Sequence, residues 1–280
     1  MILFKHSKDL ETFLQSIRKE GNAIGFVPTM GALHKGHLSL IERSKATNNV
    51  TVASIFVNPV QFNSKEDFVK YPSTIDNDVL LLEETGCDIL FMPSEKEIYP
   101  DEISKHKHFE LGHLEKILEG KFRPGHFQGV CLVVEKLLTI IEPDNLYLGQ
   151  KDYQQCLVVK KLITLMKKDI MVIICPIVRE ASGLAMSSRN LRLNSEEKTL
   201  ASSLNKTLEN IKDSLSNENF SELKNIAISN LENKGFKIDY LELANRADLT
   251  IIKDYKKAET YILLIAAWLN DIRLIDNLYC

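Results

Sequence analysis

The chain has 280 residues, of which 44% are hydrophobic and 26% charged, a composition typical of a globular protein with a large core. Its formal net charge is −3, so no overall positive field is available to hold a nucleic-acid backbone. No apolar run approaches the ~20 residues of a membrane span, and the N-terminal segment lacks the features of a signal peptide. We therefore expect neither a membrane span nor a secretion signal, and the length suggests about two domains.

The five cysteines lie at positions 87, 131, 156, 175 and 280. They are odd in number and show no CxxC spacing, which argues against a disulfide framework and against a zinc site. We expect reduced thiols that fill the core of a cytoplasmic protein.

Short β-branched runs alternate with helical patterns over roughly the first 175 residues. Strands are predicted at 22–28, 49–59, 87–93, 145–149 and 170–178, and helices at 37–46, 74–86, 126–143 and 153–166. This alternation is typical of βαβ units. We predict an α/β fold: a Rossmann-like parallel sheet flanked by helices.

The composition changes after Arg192. Residues 194–235 are polar with a helical period, and strand candidates follow at 237–249 and 259–278. This pattern predicts a smaller C-terminal α+β domain. The predicted domains are 1–177 and 178–280.

The segment VPTMGALHKGH, residues 27–37, connects the first predicted strand to its helix. In open α/β sheets, ligands bind at the carboxyl ends of strands, where helix N-termini favour anions. His34 and His37 could therefore donate hydrogen bonds to phosphate oxygens. A metal site and a glycine-containing turn are the alternatives, although the spacing differs from the HExxH of zinc proteases. The Walker A and GxGxxG patterns are both absent.

Two polar segments follow along the chain. Asn58 and Gln61 come after the second strand, where their amides could bind hydroxyl or carboxylate groups; an Asn-Pro turn is the alternative. Lys121 and Arg123 lie in residues 120–130, which we predict to be a mobile loop before a helix. That loop is either a lid that carries cations over a phosphate or a plain basic loop.

Two more segments add charge near predicted strand ends. Lys151 could neutralise phosphate, while Asp152 could cap a helix or meet a metal ion or ribose. Gln154 and Gln155 follow in the first helical turn, and only one of them can face the cleft. Residues 186–189 offer hydroxyls and a guanidinium suited to a triphosphate, with helix capping by a serine as the alternative.

Together these segments supply imidazole, lysine, arginine and hydroxyl groups but no evident nucleophile–base pair. Such an inventory suits displacement at phosphorus, where positioning and charge stabilisation perform the catalysis. The residues alone indicate a nucleotide-dependent transferase or ligase of the HxGH type.

Six motifs resemble the pantothenate synthetases, the pantoate–β-alanine ligase family of the HxGH nucleotidyltransferase superfamily. They are PTMGALHKGH, FVNPVQF, GKFRPGHFQGV, GQKDYQQ, VREASGLAMSSRN and RLIDN, in matching order and at matching intervals. The resemblance implies ATP-dependent condensation of (R)-pantoate with β-alanine to pantothenate, AMP and pyrophosphate through pantoyl adenylate, in vitamin B5 and coenzyme A biosynthesis. It also implies Mg²⁺ carried with ATP, expected near Asp152, a cytoplasmic homodimer, and a C-terminal lid over an ATP- and pantoate-binding domain.

The resemblance also implies roles for single residues. The catalytic set is His34, His37, Lys151 and Arg189. The ATP site comprises Met30, Gly31, Ala32, Leu33, His34, Lys35, Gly36, His37, Gly149, Gln150, Lys151, Asp152, Val178, Met186, Ser187, Ser188 and Arg189. Gln61 and Gln155 would bind pantoate, and Gln61 would also meet β-alanine. The family usually assigns His37 as proton donor, but a carboxylate nucleophile and a pyrophosphate leaving group need little proton transfer.

Three positions depart from the commonest family pattern. Gln150 stands where Glu is frequent, Ser182 where Asp is frequent, and Cys131 where Thr is frequent. Ser182 removes a charge near the ATP loop, and Cys131 is expected to pack within its helix. Two other functions stay open: a nucleotidyltransferase that stops after the first displacement, and a catalytically silent nucleotide-binding module.

Overall fold

The computed structural model describes residues 1–100, 108–215, 219–253, 255–256 and 259–280. Contacts divide this part of the chain into two compact units. The first comprises Met1–Gly149 with Gln155–Pro176, and the second comprises Gln150–Gln154 with Ile177–Cys280. Each unit has its own hydrophobic core. The functional roles assigned to domains 1–177 and 178–280 stay predictions.

The first unit is built on a six-stranded parallel sheet with the order β1-β4-β3-β2-β5-β6. Its strands are β1 (Ile2–Phe4), β2 (Ile24–Thr29), β3 (Val50–Ile55), β4 (Ile89–Phe91), β5 (Asn145–Gly149) and β6 (Met171–Cys175). The predicted α/β fold is confirmed. Because β2 lies between β3 and β5, the strand order reverses there, which is where open α/β sheets form a ligand-binding crevice.

Eight helices cover this part of the described chain. They are α1 (Ser7–Lys19), α2 (Lys35–Lys45), α3 (Lys65–Val69), α4 (Ile75–Glu84), α5 (Glu95–Ile98), α6 (Leu118–Phe122), α7 (His126–Ile141) and α8 (Tyr153–Met166). In α7, Cys131 is fully buried, as expected, and burial raises the pKa of its thiol to about 12. No helix among the described residues has the length and apolar character that crossing a membrane requires.

The second unit contains a three-stranded antiparallel sheet with the order β7-β8-β9. Its elements are α9 (Ser195–Ala201), α10 (Ser203–Ser214), α11 (Phe220–Glu232), β7 (Phe236–Asn245), β8 (Tyr261–Leu269) and β9 (Ile272–Tyr279). The helical region predicted at 194–235 corresponds to three helices, with residues 216–218 outside the described part. The candidate region 259–278 holds two strands, joined by a turn in which Asn270 has a φ of 53°.

The prediction of a mobile loop over residues 120–130 was wrong. Helix α6 extends to Phe122 and helix α7 begins at His126, so only three residues lie outside helices. Gly120 and Gly129 allow close packing of the backbone. A Cβ on Gly120 would lie 2.2 Å from the carbonyl oxygen of Glu115, and one on Gly129 would lie 2.6 Å from that of Val60. Strand β1, three residues long and paired with β4, was not predicted at all.

Candidate active site

The loop after β2 carries the two histidines of the HxGH motif. Strand β2 ends at Thr29, whose hydroxyl donates to the carbonyl of Ser54 at 2.7 Å and accepts from the Gly31 N–H at 3.2 Å. Gly31 has a φ of 79°, a conformation that favours glycine. Helix α2 begins at Lys35, so His34 is its N-cap and His37 its third residue.

A buried carboxylate that the sequence analysis missed lies beneath this loop. Asp78 on α4 is 0% exposed, and its two oxygens accept hydrogen bonds from the N–H groups of Ala32 and Leu33, each at 2.8 Å. The hydroxyl of Thr74 donates to the same carboxylate at 2.9 Å. The available signal was the position of Asp78 on the face of Leu82, four residues later, where an apolar side chain is expected.

The two imidazoles are in contact in a tilted arrangement, with ring centroids 4.0 Å apart and planes inclined by 34°. Nδ1 of His34 accepts from the Gly36 N–H at 3.1 Å, and Nδ1 of His37 accepts from the His34 N–H at 3.4 Å. A peptide N–H can only donate, so these bonds require an unprotonated Nδ1 on each ring. We therefore assign both histidines as the neutral tautomer with the proton on Nε2.

Residues predicted from separate segments converge around Gln61 in the first unit. Nε2 of Gln61 donates to Sδ of Met30 at 2.8 Å, and Oε1 accepts from Nδ2 of Asn58 at 3.1 Å. Asn58, which is 1% exposed, also donates to the carbonyl of Gly129 at 3.0 Å and accepts from the hydroxyl of Tyr99 at 2.9 Å. Burial raises the pKa of Tyr99, which keeps this hydroxyl a donor. The amide of Gln61 is thus oriented on both sides.

His126 supports the backbone of Gln61 from α7. Its Nδ1 lies 2.8 Å from the carbonyl oxygen of Gln61, and its Nε2 lies 3.0 Å from Nη1 of Arg123. The carbonyl can only accept and the guanidinium can only donate, so His126 carries its proton on Nδ1. Arg123 also lies 3.6 Å from Glu119. These partners favour a structural role for Arg123 over that of a phosphate-binding lid.

In the second unit, the conformation of the segment around Lys151 is held by β9. Asn277, 1% exposed, donates through Nδ2 to the carbonyls of Gln150 and Lys151, both at 2.9 Å. Its Oδ1 accepts from Nε2 of Gln150 at 3.0 Å. Nζ of Lys151 lies 3.7 Å from a carboxylate oxygen of Asp152. The RLIDN motif therefore contributes to this segment through its last residue.

The preceding residue of the same motif anchors the segment after Val178. Asp276, 4% exposed, accepts two hydrogen bonds from Arg179, at 2.7 and 3.0 Å. Burial raises the pKa of Asp276, while the guanidinium of Arg179 opposes that shift. Arg179 also donates to the carbonyl of Gly183 at 3.1 Å. The Ser182 hydroxyl accepts from the Leu184 N–H at 3.4 Å, a turn contact of the kind that Asp also makes.

The capping alternative for residues 186–189 is observed. Ser187 is the N-cap of a 3₁₀ helix, Ser188–Arg192, and its hydroxyl accepts from the Arg189 N–H at 3.3 Å. Ser188 is buried, and the Met186 N–H donates to the carbonyl of Val178 at 3.0 Å.

The remaining predicted site residues differ in exposure. Ala32 and Leu33 are buried, and Leu33 packs in the core of the first unit. Lys35 is exposed and Gly36 partly exposed. Of the two glutamines in α8, Gln154 is 2% exposed, whereas Gln155 is partly exposed. Among the described residues, no group of three or more His, Cys, Asp or Glu side chains could hold a metal ion.

Comparisons with known proteins cover nearly the whole chain. The family model described as pantoate-beta-alanine ligase matches residues 2–279. The pantothenate synthetase of Cytophaga hutchinsonii is 44% identical over 287 residues, covering 99% of both chains. That of Pseudothermotoga lettingae is 43% identical over 281 residues, covering 99% of this chain and 98% of its own.

Two solved structures of the same family are similar to this chain over nearly its whole length. Pantothenate synthetase from Thermus thermophilus has a TM-score of 0.90 and 37% identity, with 99% of both chains covered. Pantoate-beta-alanine ligase from Francisella tularensis, complexed with beta-gamma ATP and beta-alanine, has a TM-score of 0.81 and 38% identity, covering 99% of this chain and 97% of its own. This chain belongs to the pantoate–β-alanine ligase family.

Proposed function

We propose that this enzyme condenses (R)-pantoate with β-alanine at the expense of ATP, giving pantothenate, AMP and pyrophosphate through pantoyl adenylate. Membership of the ligase family supports the overall reaction, and the Francisella tularensis relative was solved with ATP and β-alanine ligands. The observation that carries the proposal in this chain is the pair of imidazoles at the N-terminus of α2, each of which accepts a backbone N–H through Nδ1.

In the first step, a carboxylate oxygen of pantoate attacks the α-phosphorus of ATP and the bond to pyrophosphate breaks. Negative charge builds on the phosphate oxygens, and no proton has to move. His34 and His37 stabilise that charge as neutral N–H donors, assisted by the N-terminus of α2. The family resemblance implies that Lys151 and Arg189 contribute positive charge to nucleotide binding. The other residues of the predicted ATP site would contact the rest of the nucleotide.

In the second step, the amine of β-alanine attacks the acyl carbon, and the tetrahedral adduct loses AMP and a proton to form the amide. Gln61 and Gln155 bind pantoate. The contacts of Gln61 with Asn58 and Met30 orient its amide for that task, and Gln61 also meets β-alanine.

Mg²⁺ would enter with ATP and neutralise phosphate charge. Asp152 fits this role as a single carboxylate ligand, since its side chain is 48% exposed. Magnesium is commonly held by one or two carboxylates together with phosphates and water.

A coupled assay for AMP tests the proposal. AMP should form with ATP, pantoate and β-alanine together, and pantothenate should accumulate in equal amount. Release of pyrophosphate with pantoate alone, unaffected by β-alanine, would indicate a nucleotidyltransferase instead. ATP binding in calorimetry without turnover of any carboxylate and amine would indicate a silent module.

We also propose a cytoplasmic homodimer. Light scattering on the purified protein should then give twice the chain mass of 31.9 kDa. A mass equal to one chain at micromolar concentration would contradict it.

A further inference from the structure

We propose that Asp78 is a positioning residue for adenylate formation, because its buried carboxylate determines the direction in which the loop presents His34 and His37. The inference rests on the proposed function of those two histidines. Asp78 binds the backbone of the loop that carries both rings.

The carboxylate of Asp78 fixes the backbone of the loop. Each oxygen accepts one peptide N–H, from Ala32 or from Leu33, at 2.8 Å, so the two consecutive peptide planes between Gly31 and Leu33 are fixed. Thr74 donates to the same carboxylate at 2.9 Å and restricts its rotation. Hydrogen bonds to an ionised acceptor are stronger than those between neutral groups.

These bonds also hold an unusual backbone conformation. Ala32 has a φ of 49°, which non-glycine residues adopt rarely and which surrounding contacts must maintain. Gly31 has a φ of 79°, where a side chain would be strained, and a Cβ there would be in tight contact with Oδ2 of Asp78, at 3.1 Å. Two successive left-handed residues turn the chain sharply between β2 and α2, and Asp78 binds the N–H at the centre of that turn.

A carboxylate is an unusual side chain at this buried position. Asp78 is 0% exposed on a face that also carries Leu82, which is 1% exposed. Burying a charge is costly unless its hydrogen bonds are satisfied, so packing alone would favour an apolar side chain here. The carboxylate also turns the N–H groups of Ala32 and Leu33 towards itself. Because these two N–H groups are bonded to Asp78, we infer that the imidazoles and the N-terminus of α2 bind the phosphate.

The test compares Asp78→Asn with Asp76→Asn. Both changes remove one negative charge from the first turn of α4, but Asp76 is exposed. In Asp78→Asn, the amide group would face a loop N–H, donor against donor. We expect the rate of pantoate-dependent exchange of pyrophosphate into ATP to fall ~10–10²-fold, the scale of a small misplacement of reacting groups. Asp76→Asn should stay within about twofold.

A double-mutant cycle separates positioning from a general structural role. If Asp78 acts through the histidines, adding Asp78→Asn to a variant that lacks both imidazoles, His34→Ala with His37→Ala, should cost much less than it costs in the wild type. Losses that multiply, or an Asp78→Asn variant with the wild-type exchange rate, would overturn the proposal. If Asp78→Asn does not fold, Thr74→Val takes its place in the test. It removes one hydrogen bond to the carboxylate and should lower the exchange rate by a smaller factor.

A second readout does not depend on activity. In ligand-free protein labelled with ¹⁵N-histidine, the ring signals of His34 and His37 should shift in Asp78→Asn but not in Asp76→Asn. Unchanged signals would overturn the proposal even if the protein had no pantoate-dependent activity. An inactive wild type with shifted signals would instead refute the proposed function alone.

Discussion

At the scale of single residues, the position of one proton decides what each histidine can offer a phosphate. The peptide N–H groups that meet Nδ1 of His34 and of His37 require the proton on Nε2. His126 meets a carbonyl through Nδ1 and therefore carries the opposite tautomer. The same residue type thus carries one tautomer in the loop and the other in α7, where it supports the backbone of Gln61.

We expect nuclear magnetic resonance to show this difference. Long-range ¹H–¹⁵N spectra of histidine-labelled protein near neutral pH should give the Nε2–H pattern for His34 and His37, and the Nδ1–H pattern for His126. Assignment by His→Gln variants identifies each ring. An Nδ1–H pattern at His34 would refute the capping geometry.

Substitutions of His37 separate its donor from its acceptor. His37→Ala should lower the adenylation rate ~10²–10³-fold, as removal of one positioned donor does. His37→Asn, whose Oδ1 can still accept from the His34 N–H, should be impaired to a similar degree because it lacks the Nε2–H group. Single-turnover formation of pantoyl adenylate measures both. Wild-type rates in His37→Asn would show that capping is what matters.

Cys87 and Cys131 should be inert in the folded protein near neutral pH. Burial raises the pKa of Cys87 to about 11 and that of Cys131 to about 12. Since only the thiolate is nucleophilic, alkylation by iodoacetamide should be slow at pH 8 and accelerate as the pH approaches 11. Peptide mass spectrometry, with urea-unfolded protein as the control, measures this. Rapid labelling of Cys131 at pH 8 would contradict the packing described.

At the scale of elements, strand–helix alternation is readable because hydrophobic periodicity is local. All five predicted strands of the sheet are present, and the helices predicted at 74–86 and 153–166 correspond to α4 and α8. The prediction of a loop at residues 120–130 failed because the structure there depends on packing. Helix α6 has five residues in a segment rich in turn formers, and packing of Gly120 supports it more than propensity does.

The contact between β9 and the segment around Lys151 could not be predicted either, since it joins residues 127 positions apart. We expect Asn277→Ala to leave two buried carbonyls without their side-chain donor. The free energy of unfolding should fall by about 1–3 kcal/mol. The kcat/KM for ATP should fall about tenfold, because Lys151 loses its backbone support.

Asn205→Ala is the matched control, since it also truncates a buried asparagine of the second unit, but one whose amide donates to the side chain of Glu209 and not to the backbone around Lys151. Its kcat/KM for ATP should stay within about threefold of the wild type. Denaturant unfolding and steady-state kinetics on both variants provide the measurements. Equal kinetic losses in the two variants would show that Asn277 does not act through the backbone at Lys151.

At the scale of the whole molecule, the chain forms two compact units, and residues 150–154 pack with the second of them. The sequence shows a change of composition only after Arg192. The assignment of residues 150–154 to the second unit therefore could not be predicted without knowledge of long-range contacts. Asp78, His126 and Tyr99 were missed for a related reason. Each works by a contact with a residue far along the chain, and its own sequence neighbourhood carries no mark of that partner.

The central claim is that the carboxylate of pantoate attacks the α-phosphorus of ATP. Turnover of pantoate labelled with ¹⁸O in its carboxylate, with ATP and β-alanine, should place one ¹⁸O atom in the phosphate of AMP. Mass spectrometry of the AMP and of any inorganic phosphate measures the transfer. Unlabelled AMP, or ¹⁸O in inorganic phosphate formed together with ADP, would contradict the account.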